Sequence, residues 1–266
     1  MKRLFTIAPT ILAISWAGLY GAGAADLIAP VYMPTKAAPY AAPAFSWTGF
    51  YVGGNIGGGW AARPFDLLPA DPNSTAFFAT LGNPGSLDPS TAGLVGGGQA
   101  GYNMQLGSWV FGAEFMFDWS NMSGSASNVG TAANGMQAAV GSGVRIDWDG
   151  AINARVGFTP WSGWLISAFG GFAFGNISEN ANVVCIVKCG AVGFSSGSSN
   201  AHTGWDAGAE VKYALTSNVI AGVKYRYVDL GTQSLFLSTN NLPPMTFNGS
   251  STARWNEALF TIEWKF

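Results

Sequence analysis

Few residues in this chain could do chemistry by type. It holds two cysteines, Cys185 and Cys189, and one histidine, His202. A structural zinc takes about four Cys or His ligands, so this set cannot complete one. In an oxidising compartment, two thiols this close in a loop point to a disulfide. The small ring it closes adds little to global stability. Gly193-Phe194-Ser195-Ser196-Gly197 fits G-x-S-x-G. A nucleophile elbow would need Ser195 at a strand–turn–helix corner with a histidine partner, and His202 lies nearby in sequence. A Ser/Gly-rich loop beside an exposed rim histidine accounts for the same residues. Gly96–Gly101, GGGQAG, fits G-x-G-x-x-G. It lies inside an alternating segment with no helix following, which favours close packing in a sheet over a dinucleotide site. These motifs yield no catalytic, cofactor-binding or metal-binding set.

The charges carry more information, because they alternate with apolar residues. In Arg254–Phe266, RWNEALFTIEWKF, Ala258, Phe260, Ile262, Trp264 and Phe266 share one parity. Glu257, Leu259, Thr261, Glu263 and Lys265 share the other. Side chains of a strand point to opposite faces in turn, so this is a strand with one greasy and one largely charged face. A greasy face toward lipid and a charged face toward a lumen is the pattern of a transmembrane barrel strand.

Composition agrees. Of 266 residues, 10% are charged, 48% hydrophobic and 14% aromatic, with 37 glycines; ordinary soluble chains carry about 25% charged residues. Past the N-terminus no apolar run reaches the ~18 residues that indicate a membrane-spanning helix. Residues 1–24 have the features of a secretory signal peptide: Lys2 and Arg3, a mostly apolar Leu4–Leu19, and Ala22-Gly23-Ala24 before the cut. Residues 25–46 form a Pro/Ala-rich periplasmic leader, with Pro30, Pro34, Pro39 and Pro43 keeping it extended. Residues 47–266 are the barrel. The formal charge of −2 offers no basic patch, which argues against nucleic acid as a partner.

The pattern predicts an all-β fold, an eight-stranded antiparallel transmembrane barrel. The strands are 47–60, 93–106, 109–119, 144–158, 164–175, 202–215, 219–229 and 254–266. Both faces of 164–175 are apolar or small, so its phase is open. Connections alternate long and short, giving three short periplasmic turns and four long outer loops. Ten tryptophans fall at strand ends, in a periplasmic set (Trp47, Trp109, Trp161, Trp164, Trp264) and an outer set (Trp60, Trp119, Trp148, Trp205, Trp255), as interfacial girdles would. Trp255 breaks the parity of its strand.

The expected lumen places Glu114, Asp118, Asp147, Asp149, Asp206, Glu210, Glu257 and Glu263 against Arg145, Arg155, Lys212, Lys224, Arg226 and Lys265. Eight strands leave an interior just wide enough for side chains to fill, and a charge there must be paired or hydrated. The ion-pair candidates are Glu114, Arg145, Arg155, Glu210, Lys224, Arg226 and Glu257. Gly53, Gly57, Gly97 and Gly101 leave room for long basic side chains from across the barrel.

SWTGFYVGGNIGGGW near the mature N-terminus, KYRYVDLG in the seventh strand and the terminal FTIEWKF together resemble the outer-membrane immunogenic, porin-like β-barrel proteins of alphaproteobacteria. The resemblance covers roughly 47–266. It implies an outer-membrane location, exposed loops and a structural envelope role without catalysis. Some members of that group are described as haem binders or small porins; no motif here carries either activity over. The implied partners are outer-membrane lipid and lipopolysaccharide, the barrel-assembly machinery, and host or surface ligands met by the loops. Phe260, Ile262, Trp264 and Phe266 supply the C-terminal assembly signal. A small porin and a loop-based ligand binder remain as alternatives, and no cofactor is implied.

Overall fold

Alternation becomes structure along nearly the whole chain. In the computed structural model, residues 45–62, 64–188, 193–239 and 244–266 are described. The proposed signal peptide and nearly all of the leader lie outside them. Eleven strands form one antiparallel sheet: β1 (Gly49–Ala62), β2 (Phe65–Pro69), β3 (Ser86–Leu87), β4 (Ser90–Leu106), β5 (Trp109–Ser120), β6 (Ser123–Thr131), β7 (Gln137–Phe158), β8 (Trp164–Val187), β9 (Gly193–Ala214), β10 (Val219–Thr239) and β11 (Met245–Lys265). Among the described residues there is one helix, α1 (Pro72–Thr80). Among the described residues no helix is long and apolar enough to cross a membrane.

Eleven strands replace the expected eight. Eight of them follow one another as β1-β4-β5-β7-β8-β9-β10-β11, and β1–β11 pairing from Tyr51↔Lys265 to Trp60↔Asn256 closes the ring. The others, β2, β3 and β6, arise in segments expected to be loops. The segments expected to be loops, including those that extend β8 and β10, carry strand because they still alternate: Ala181 and Val183 of β8, like Leu235 and Leu237 of β10, point inward. Their intervening positions are mostly Ser, Asn, Thr and Gly, which lack the apolar-to-charged contrast of a lipid-crossing strand.

Beyond the barrel the wall divides. β9 and β10 pair only as far as Asp229↔Trp205. Past that level β6, β7, β8 and β9 form one sheet, and β10, β11, β2 and β3 another. The two sheets bury a shared core of Phe65, Leu67, Val140, Val183, Leu235 and Phe247 among others. Phe194 of the first sheet stacks on Phe247 of the second at 5.2 Å between ring centres. Helix α1 sits against this core through Phe78, 4.7 Å from Phe247. Asp71 caps α1 by accepting from the backbone N–H groups of Asn73 and Ser74, and its other oxygen accepts from Thr246 of β11.

Candidate functional site: the charged barrel interior

The faces are sorted as alternation requires. Phe260, Ile262 and Trp264 of β11 point outward, while Glu257, Leu259, Thr261 and Glu263 are buried inside. Phe115, Ile152, Val211, Val223 and Tyr225 join the outward set. The segment of open phase settles with Leu165, Ser167, Phe169 and Ala173 inward, and Ile166 and Phe172 outward.

The inward charges occupy two layers. In the lower one Arg155 pairs with Glu114 at 2.6 Å and with Glu210. Lys212 lies 2.6 Å from Glu263 and 3.3 Å from Glu210. Lys224 pairs with Glu114 and lies 3.8 Å from Glu210. Tyr51 links the layer, donating to Glu114 at 2.8 Å and accepting from Arg155 at 2.7 Å. Three bases meet three acids here.

The upper layer is unbalanced. Arg226 lies 2.5 Å from Asp149, 2.7 Å from Asp206, 3.0 Å from Glu257 and 3.9 Å from Asp118. Asn55 donates to Asp118 and Asn153 to Asp206. One base faces four acids. All eleven charged groups of both layers are at most 4% exposed.

An indole caps each end. Trp47 packs with Val110, Leu165 and Ile220 beneath the lower layer. Trp255 lies above the upper layer and donates Nε1–H to Glu257 at 2.6 Å. Both were expected in the aromatic girdles, and both are instead buried inside at 1% exposure. The odd parity of Trp255 was the signal that could have shown this.

Four further expectations change. Arg145 is not a lumen partner: β7 bulges between Ile146 and Trp148, so its phase reverses. Ile146 turns inward, Arg145 projects outward with its side chain 65% exposed, and it pairs with Asp147. Lys265 sits at the mouth over the Phe45 ring rather than in the charge layers. The expected eight acids against six bases become seven against four in the two layers. The lumen glycines make room for neighbouring strands, not for basic groups from across the barrel. A Cβ on Gly97 would lie 2.4 Å from an Asp118 carboxylate oxygen, one on Gly101 2.5 Å from the Tyr51 hydroxyl, and one on Gly53 2.8 Å from Glu263 Cγ. Of the other candidates, Glu114, Arg155, Glu210, Lys224, Arg226 and Glu257 all come together in the interior.

Neither motif has the setting its chemistry needs. Gly96–Gly101 lies within β4, paired on both edges. Ser195 and His202 both lie in β9, seven positions apart and so on opposite faces, with no helix following. Cys185, near the end of β8, is disulfide-bonded. Cys189 lies outside the described residues.

A closed antiparallel ring, apolar outside and charged inside, with no membrane-crossing helix, defines an outer-membrane β-barrel. The family model and the curated relatives agree. Residues 32–254 match the family model described as the outer membrane protein beta-barrel domain. The 31 kDa outer-membrane immunogenic protein of Brucella melitensis is 33% identical over 231 residues, spanning 85% of this chain and 89% of that protein. A 22 kDa outer membrane protein of Rhizobium leguminosarum is 26% identical across 75% of this chain and 72% of its own. Among solved structures, the outer membrane protein OprG of Pseudomonas aeruginosa aligns over 82% of this chain and 96% of its own, with TM-score 0.47 and 10% identity. The chain belongs to the outer-membrane β-barrel family of these immunogenic proteins, and its place is the outer membrane.

Proposed function

We propose that this chain is a structural, non-catalytic barrel whose lumen is filled by side chains and whose outer end carries a two-sheet body exposed at the cell surface. The eight strands of the closed ring cross the membrane, with the turns at 107–108, 159–163 and 215–218 in the periplasm. One observation carries the reading: two stacked charge layers lie between buried Trp47 and Trp255, with none of their charged groups more than 4% exposed. Ions entering such a bore would have to break buried pairs, each costing ~3–5 kcal/mol when one partner is lost. Lipid and lipopolysaccharide surround the outward apolar face, the assembly machinery meets β11 through Phe260, Ile262, Trp264 and Phe266, and host or surface ligands meet the two-sheet body. Cys185 and Cys189 form the disulfide near its tip.

Single-channel recording in planar bilayers tests this. Wild type should show only rare, small events. Glu114→Ala should strand Arg155 and Lys224, admit water and raise the current. Large, steady wild-type currents that neither Glu114→Ala nor Trp255→Ala changes would establish a small porin instead.

A further inference from the structure

The upper charge layer lacks a counter-charge. Asp118 (β5), Asp149 (β7), Asp206 (β9) and Glu257 (β11) surround one guanidinium, Arg226 of β10, and all five side chains are essentially removed from water. The lower layer matches acid to base, so it has no positive charge to lend. Net negative charge in a water-poor interior is very costly without a compensating group. Arg226 does not fill the role. Its Nε serves Asp206 and its Nη1 serves Asp149 and Glu257, while Nη2 donates to none of the four acids.

Three of the four carboxylates converge. Asp118, Asp149 and Glu257 each offer an oxygen within 4.8 Å of the others. Asp118 Oδ2 and Asp149 Oδ2 accept no hydrogen bond. A neutral group from another strand is hydrogen-bonded to one of them. Asn55 of β1 is 8% exposed, its amide nitrogen lies 2.8 Å from Asp118, and its Oδ1 has no donor. A buried amide acceptor beside an acidic cluster, with no donor to satisfy it, calls for a cation. The donor set is all oxygen, which selects hard ions; calcium takes such ligands at about 2.3–2.6 Å. Asn153 donates to Asp206 and Trp255 to Glu257, so each of these carboxylates has one oxygen held in place.

We propose that this layer is a binding site for one calcium-class cation, held by Asp118, Asp149, Glu257 and the amide oxygen of Asn55. The site goes beyond the filled-lumen reading and does not depend on it, since its readouts are ion binding and thermal stability rather than conductance.

Protein unfolded in urea with EDTA and refolded into detergent, with or without calcium, provides the test. Terbium is the optical probe, excited through Trp255, whose indole touches Glu257. Wild type should bind one terbium per chain, calcium should displace it, and calcium should raise the melting temperature. Asp118→Asn should weaken binding at least tenfold. Asn55→Leu, which changes no charge, should weaken it severalfold and decides the matter if Asp118→Asn fails to fold. The surface variant Asp88→Asn should leave binding unchanged. Three results would each overturn the proposal: no stoichiometric ion, binding unaffected by either interior variant, or an EDTA-treated barrel that gains nothing from calcium yet becomes more stable as pH is lowered from 7 to 5, which would assign the compensation to protons.

Discussion

Arg226 shows how much one residue can carry in a barrel this narrow. Among the described residues it is the only basic group paired with these four buried acids, and burial makes each of those contacts costly to lose. Arg226→Ala should destabilise the folded barrel by ~3–5 kcal/mol, measured by urea titration of the heat-modifiable band. An unchanged midpoint would mean the acids are already neutralised without it. On the outward face the cost arises from lipid. Ile262→Arg should cost ~2–4 kcal/mol in bilayers, whereas Ile262→Leu should stay within ~0.5 kcal/mol. Urea midpoints of both variants in liposomes check the pair, and equal losses would contradict the face assignment. Most of this site was legible in the sequence, because a two-residue period fixes which side chains share the lumen. The bonding partners were not, since they depend on how the ring closes. Arg145 was misplaced because a bulge leaves no mark on a simple alternation, and Trp47 and Trp255 because an indole suits an interface and a plug equally well.

At the scale of elements, the bulge in β7 is the joint between the barrel and the outer body. Deleting Asp147 should remove the extra residue and join Ile146↔Ile177 directly to Trp148↔Asn176, so that Val144 and Ile146 stay inward and Arg145 outward. Limited proteolysis should then leave 120–146 as resistant as in the unaltered chain; new cuts there would show that Asp147 is not the residue that resets the phase. Helix α1 depends on Asp71, whose carboxyl is held well below the usual carboxylate range by the Ser74 backbone N–H and the Thr246 hydroxyl. A depressed folded pKa stabilises above the unfolded value of about 4, and that contribution fades as pH falls through the lower folded value. Amide exchange of residues 73–80 should therefore be flat from pH 8 to 5, and faster in Asp71→Ala after correction for intrinsic rates. An equal rate in the variant would remove the cap from the account. The strands of the outer body were hidden in the sequence for a compositional reason. Serine, asparagine and glycine alternate as regularly there as apolar groups do below, but they also make loops.

At the scale of the molecule, closure depends on the last residues. The Phe266 backbone N–H donates to Phe50 at 2.9 Å, and that of Lys265 donates to Asn218 at 2.7 Å, so the end of β11 is fastened on both sides. Removing Phe266 should lower the level of folded protein in outer-membrane fractions, seen as loss of the heat-modifiable species; wild-type levels would refute an assembly role. The ring order followed from alternation and from the rhythm of short and long connections, whereas the extra strands did not. Those strands set the height of the molecule. β8 alone has 24 residues, which at ~3.3 Å per residue and ~40° tilt reach ~60 Å, more than twice the ~25 Å apolar band. The same hydrogen-bonded ladders run from the bilayer into the outer body without a linker. The tip is therefore a rigid mast with a fixed stand-off from the lipid. Any point on the two-sheet body is held at one distance and one orientation from the ring, and a pull on it is borne as shear along the barrel wall.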